Sequence, residues 1–203
     1  GDELVGVGLV DERDDLLLVS RKGQSVRFHA DDATLRPMGR STSGVTGMKF
    51  RTGDELLSMS VVREGEDPDV FVVFESGLAK RSKVSEWNVK GRAILGVAVA
   101  KLSDKGGDLV GALTVDEGDE VLVVFEKGNI VRSRVDEVRL TGRNTMGVQF
   151  AKPGKKDAIV AVTRNPKKEV EEAVEEAIEA AEVAADAADG PVEGSVSTAD
   201  SGA

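Results

Sequence analysis

The sequence has no cysteine, no tyrosine and a single histidine, His29. Without thiols there is no disulfide framework, no thiolate chemistry and no Cys/His zinc site. Without tyrosine the chain cannot form a tyrosyl phosphodiester. Aromatic residues are scarce as well, with six Phe and only Trp87, so any core must be filled mostly by Val, Leu, Ile and Ala. No run of eighteen apolar residues is present to span a bilayer, and Gly1-Asp2-Glu3 is not the basic, then apolar, opening of a secretory signal. These absences predict a cytoplasmic protein with no membrane partner. The phosphate loop GxxxxGKS/T, the GxSxG elbow and a histidine partner for a nucleophile are also missing, so no catalytic residues are expected and His29 reads as a surface or satisfied strand histidine. The acid clusters Asp11, Asp14, Asp15 and Asp116, Glu117, Asp119 lack EF-hand spacing and read as solvated turns between strands, leaving no metal site.

A formal charge of −10 argues at first against a polyanionic partner. The charge is divided unevenly, however. Eleven of the 37 acids and none of the 27 bases fall in residues 169–203, which leaves 26 acids against 27 bases in residues 1–168. The body of the chain is therefore near +1 and only its end is strongly acidic, so nucleic acid stays open as a partner.

What the sequence does contain is a repeat with a period near fifty residues. Each of three copies opens on an apolar run (16–19, 70–74, 121–125), followed by a turn glycine, Gly23, Gly77 or Gly128. Four residues beyond that glycine stands Arg27, Arg81 or Arg132. Next comes GRxxxGV: Gly39, Arg40, Gly44, Val45; Gly91, Arg92, Gly96, Val97; Gly142, Arg143, Gly147, Val148, with first glycines spaced by 52 and 51 residues. A second apolar strand closes each unit at 56–62, 109–115 and 159–162. Continuous apolar runs suit strands buried on both faces, so an all-β, propeller-like array of about three four-stranded blades is predicted, with repeats at about 11–65, 66–115 and 116–165. Residues 2–10 align with residues 107–115, placing Gly6 on Gly111. They are expected to form the closing strand of a preceding blade, as in a fragment of a longer protein.

The paired glycines of GRxxxGV mark backbone positions with positive φ or close strand approach. Neither turn nor core chemistry demands a guanidinium four residues after a glycine, so the recurring Arg27, Arg81 and Arg132 are candidates for binding. Lys80 and Lys83 flank Arg81, Arg134 follows Arg132, Lys49 and Arg51 follow the first GRxxxGV, and Lys90 precedes the second. With Arg40, Arg92 and Arg143 of the motifs, they predict a curved basic stripe along one rim, suited to the phosphates of bent duplex DNA and contacting backbone in preference to base edges. The same blades could instead scaffold a protein partner. Residues 166–203 are Ala- and Glu-rich. Val170, Val174, Ile178, Ala181 and Ala185 permit a one-sided helix up to Gly190-Pro191, weakened by repulsion among Glu171, Glu175 and Glu179, and the remaining residues read as disorder.

Residues 1–165 resemble the C-terminal domain of the gyrase A family, a six-bladed, DNA-wrapping β-pinwheel carrying GRxxxGV-like motifs. Especially similar to the actinobacterial type are MGRSTSGVTGMKF at 38–50, the stretch 56–64 ending in VVRE, and LAKR at 78–81. The resemblance implies DNA wrapping at a basic rim in support of ATP-dependent negative supercoiling by DNA gyrase, with ATP and Mg used by the metal-binding domain and the B subunit. It also implies partners in an A2B2 tetramer, reached through domains upstream, and association with the nucleoid. The glutamine-arginine-glycine-rich box of the family has no intact copy here, Lys90-Gly91-Arg92 being a degenerate echo, and the tyrosine domain is absent. The corresponding chain of topoisomerase IV carries a similar, often shorter array.

Overall fold

A computed structural model of the chain describes residues 3–101 and 106–165. The chain divides into one unit of Gly1–Asn165 and a second of Pro166–Ala203; the expected tail helix lies outside the described residues. Strands β1 (Asp15–Ser20), β2 (Gln24–His29), β3 (Leu56–Val62), β4 (Asp69–Phe74), β5 (Leu78–Lys83), β6 (Val97–Ala98), β7 (Leu109–Val115), β8 (Glu120–Phe125), β9 (Ile130–Arg134), β10 (Val148–Gln149) and β11 (Ile159–Arg164) form three antiparallel sheets. The all-β array of three blades expected from the repeat is present.

Each blade is built around its apolar run. β1 and β4 are buried at all six positions, whereas β8 alternates between buried and half-buried residues. Blades 1 and 2 enclose one core around Leu17, Val19, Val70, Val72, Trp87 and Leu109, and blades 2 and 3 a second around Phe71, Val73, Val121, Val123 and Ile159. A continuous apolar strand is therefore the one with a packing layer on both faces, and each fully buried Val or Leu contributes about 1.5–3 kcal/mol. The glycine turns match as well: the N–H of Gly23, Gly77 and Gly128 donates to the carbonyl of Ser20, Phe74 and Phe125, each at 2.9 Å, with φ of 72°, 82° and 85°. A register shift recurs near the turn end of each inner strand, at Val19/Ser20, at Val73/Phe74 and, on the closing strand opposite Val124 and Phe125, at Ile159/Ala161.

The repeat predicts four strands per unit, but the sheets are assembled differently. Sheet orders are β3-β1-β2-β6, β10-β5-β4-β7 and β11-β8-β9. A repeat thus supplies three strands to its own blade, in sheet order the closing, inner and third strands (β3, β1, β2 in blade 1; β7, β4, β5 in blade 2; β11, β8, β9 in blade 3), while the short strand formed by its GV segment pairs with the third strand of the preceding blade. Val97 lies opposite Ser25, and Val148 opposite Ala79. The third blade has three strands among the described residues, and Ile130 and Val131 on its free edge are exposed. In the first copy Val45-Thr46 forms no ladder, since no preceding third strand is present among the described residues.

Residues 3–10 also depart from expectation, because they form no strand. Leu4, Val7 and Leu9 are exposed, and Gly8, not Gly6, meets the chain, with its Cβ position 3.2 Å from Val61 and 3.8 Å from Met59 of β3. A closing strand packs on the closing strand of the next repeat, as β7 does on β11 through Gly111 and Val162. Residues 3–10 occupy the corresponding place beside β3, but no inner strand is available among the described residues to hold them in a ladder.

Candidate nucleic-acid interface

In repeats 2 and 3 the connection between the third strand and its closing strand lies along the preceding blade. After β5 and β9, single 3-10 turns (Val84–Glu86 and Val135–Glu137) direct Trp87 and Val138 into the two cores. The Trp87 indole N–H donates to Ser25 Oγ at 2.8 Å, joining repeat 2 to the third strand of blade 1. The chain then follows that strand: Lys90 N–H donates to Arg27 O at 2.8 Å, and Thr141 N–H to Arg81 O at 2.9 Å. At Gly96 (φ 75°) a Cβ would overlap the Ser25 carbonyl, and at Gly147 it would stand 2.8 Å from the Ala79 carbonyl oxygen. Close approach therefore accounts for Gly96 and Gly147, and positive φ for Gly44 and Gly96. The first glycines, Gly39, Gly91 and Gly142, show neither positive φ nor a close neighbour. For these three the reading from sequence is corrected; their backbone leaves room for a side chain.

The motif arginines clasp equivalent atoms. Arg92 donates through Nε to Thr34 O (2.8 Å) and through Nη1 to Thr46 O (3.1 Å). One repeat later, Arg143 donates through Nε to Glu86 O (3.3 Å) and through Nη1 to Ala98 O (2.5 Å). Thr34 matches Glu86 and Thr46 matches Ala98 in the repeat, so each guanidinium fastens a connection to the one before it. Both arginines are half-buried. Arg40, the first-copy equivalent, is exposed.

The recurring strand arginines do not line an exposed rim. Arg27 pairs with Asp15 at 2.7 Å and also donates to Val84 O, with 16% of its side chain exposed. Arg81 pairs with Asp69 at 3.3 Å with 9% exposed. Only Arg132 is open, at 55%, and it faces Glu120 at 3.5 Å. Arg134 is exposed but binds Asp136, and Lys83 binds Asp69 at 2.8 Å, a contact that raises its pKa. His29 Nδ1 lies 2.5 Å from Asp15 Oδ1. The partner acids Asp15, Asp69 and Glu120 each precede their arginine by twelve residues, a signal available in the sequence. Asp14 and Asp15 are buried, which corrects their reading as solvated turns. Asp14 accepts from the Asp11 and Glu64 N–H groups and from Arg63, and the Asp11 hydrogen bond leads in lowering its pKa.

Lys80 is buried too. Its Nζ donates to Ser82 Oγ (2.5 Å) and Val99 O (3.3 Å), and burial, reinforced by the nearby Arg143, lowers its pKa to about 8 despite Glu86. Of the expected binding residues, the structure leaves Arg40, Lys49 and Lys90 exposed with no carboxylate partner among the described residues.

The accessible positive charge is concentrated in the connections. Residues 33–53, 87–101 and 138–156 hold twelve Lys and Arg and no Asp or Glu. Apart from the clasping Arg92 and Arg143, these are Arg36, Arg40, Lys49, Arg51, Lys90, Lys101, Arg139, Lys152, Lys155 and Lys156, all exposed. None of the ten forms an ion pair among the described residues. Sequence reading missed six of them. Lys49, Lys101 and Lys152 recur four residues after the motif valine, so extending the repeat alignment by that distance would have found them.

Comparison with known proteins agrees with this architecture. Residues 14–63, 69–116 and 119–166 match the family described as DNA gyrase C-terminal domain, beta-propeller, one stretch to a repeat. The DNA gyrase A chain of Streptomyces coelicolor is 55% identical over 173 residues, covering 84% of this chain and 20% of that protein. Its counterpart from Mycobacterium tuberculosis is 45% identical over 171 residues, with the same coverage. The chain thus spans about a fifth of the length of these curated relatives. A solved DNA gyrase A C-terminal domain superposes with a TM-score of 0.67 at 31% identity, covering 76% of this chain and 52% of that one. A topoisomerase IV C-terminal domain, at TM-score 0.71 and 24% identity, covers 79% and 49% and shares the fold. Three matched blades and these gyrase relatives place the chain in the DNA gyrase A C-terminal domain family of β-propellers.

Proposed function

We propose that this domain binds duplex DNA through its sugar-phosphate backbone and bends it along the blade edge that carries the connections. The observation behind this assignment is that residues 33–53, 87–101 and 138–156 of the three connections contain no acid and together expose ten bases without ion-pair partners among the described residues. Cations of this kind neutralise phosphates without reading base edges, and a curved array of them rewards bent DNA. Most expected contributors on the third strands are engaged in ion pairs, which leaves them less available to phosphates. In the longer protein the domain would serve a cytoplasmic, nucleoid-associated type IIA topoisomerase that introduces negative supercoils. ATP and Mg would be handled elsewhere in an A2B2 tetramer.

The test is duplex affinity of the 203-residue chain across a salt series, with donor and acceptor dyes on the DNA ends. Engagement of about six to ten phosphates should weaken binding by about 10³–10⁵ between 50 and 200 mM salt. Energy transfer between the ends should rise on binding. A protein-interaction scaffold would show neither effect, and either absence would overturn the corresponding half of the proposal.

A further inference from the structure

Of the ten exposed bases, three hold equivalent places in the repeat: Lys49, Lys101 and Lys152, spaced by 52 and 51 residues. We propose that these lysines are the phosphate anchors of the domain, one per repeat, and that the remaining cations supply a less ordered field around them. The proposal rests on the DNA assignment above.

Local structure aims each of them outward. The residue before each lysine is an anchor in a core: Met48 is 4% exposed, Ala100 0% and Ala151 7%. In each repeat the lysine that follows this anchor is exposed. The backbone is held as well. Lys49 N–H donates to Ile94 O at 2.9 Å, and Lys101 N–H donates to Thr145 O at 3.0 Å, equivalent carbonyls of the following repeats. On the other side, Val99 N–H donates to Gly23 O and Ala151 N–H to Gly77 O, tying the segment to the glycine turn of the preceding blade.

Among the described residues the ammonium groups have no ion-pair partner. Lysine suits this task, since a compact point charge on a flexible stem follows a phosphate without demanding a base. Fixed backbone and free charge together make the set periodic. The strand arginines recur equally well, but Arg27 and Arg81 are spent on Asp15 and Asp69.

The experiment compares the full chain with K49Q/K101Q/K152Q and with R36Q/R40Q/R51Q, which removes the same charge from exposed positions outside this set. All six residues are exposed, and thermal midpoints matching the unsubstituted chain verify folding. The log–log salt slope for a duplex should flatten by about 3 in the lysine variant, close to one unit per lysine, and by clearly less in the arginine variant. Single Lys→Gln variants should contribute equally. Equal flattening in the two triple variants, or an unchanged slope in the lysine variant while the unsubstituted chain binds normally, overturns the lysine assignment alone. Failure of the unsubstituted chain to bind duplex DNA removes the DNA assignment and the anchors with it.

Discussion

Replacing Lys80 by Met should make the protein more stable, and the gain should vanish with rising pH. Lys80 is 2% exposed, and its pKa falls from 10.5 to about 8, with desolvation as the leading cause and Arg143 adding to it. At about 1.36 kcal/mol per pKa unit, holding the ammonium charged in the folded state costs about 3 kcal/mol. The unfolded chain keeps this proton up to the ordinary lysine value, whereas the folded chain releases it near 8. Between those limits the unfolded state binds more protons, so stability of the unsubstituted protein rises with pH across this window, and below it the whole cost is present. Met matches the length of the stem without the charge. It leaves Ser82 Oγ and Val99 O without their donor, which returns about 1–3 kcal/mol of the gain. The decisive quantity is therefore the change in the gap between variant and parent, which should shift by about 3 kcal/mol in favour of the parent from about pH 7 to about pH 10.5. Urea unfolding of both proteins at each pH measures it, since groups other than Lys80 cancel in the difference. A gap independent of pH would show that the buried ammonium is already compensated, and the desolvation argument would be wrong.

Two further outcomes follow from the described geometry and the charge distribution. Gly96→Ala places a Cβ against the Ser25 carbonyl at a φ of 75°, so it should destabilise by about 1–3 kcal/mol in denaturant titration; a neutral result would mean that β6 can shift off β2 freely. Removing residues 169–203, with eleven acids and no base, should tighten duplex binding most at low salt, because tethered carboxylates compete at about millimolar effective concentration; unchanged affinity would leave that segment no competitive role.

Strand positions are legible because the repeat states them three times. The expected closing strands 56–62 and 109–115 coincide with β3 and β7, since runs bounded by turn glycines leave little freedom of placement. Strand exchange is not legible, because Val97-Ala98 is too short to carry a periodic pattern and looks the same whichever blade it joins. The site escapes sequence reading for a related reason. Recurrence marks Arg27 and Arg81 as constrained but does not say by what. The missing partners are Asp15 and Asp69, twelve residues earlier; Asp15 reads from sequence as part of a solvated turn, and a single Asp69 carries no local signal. Lys101 and Lys152 go unnoticed because an isolated lysine in a loop carries no local signal; only position in the repeat distinguishes it.

The donated strands also set a timetable for biosynthesis. Ser25 on the third strand of blade 1 is 72 residues from its partner Val97. At ribosomal rates of about 5–20 residues per second, that edge stays open for roughly 4–14 s after its own hairpin emerges, while a hairpin forms in about 1–10 μs. An open sheet edge invites pairing with other nascent chains unless charge deters it. The inner strands read DLLLVS, DVFVVF and EVLVVF, but the waiting strands read QSVRFH, LAKRSK and IVRSR. Basic residues on the waiting strands β2 and β5 would thus deter pairing at each open edge until the next repeat leaves the ribosome and supplies its short strand.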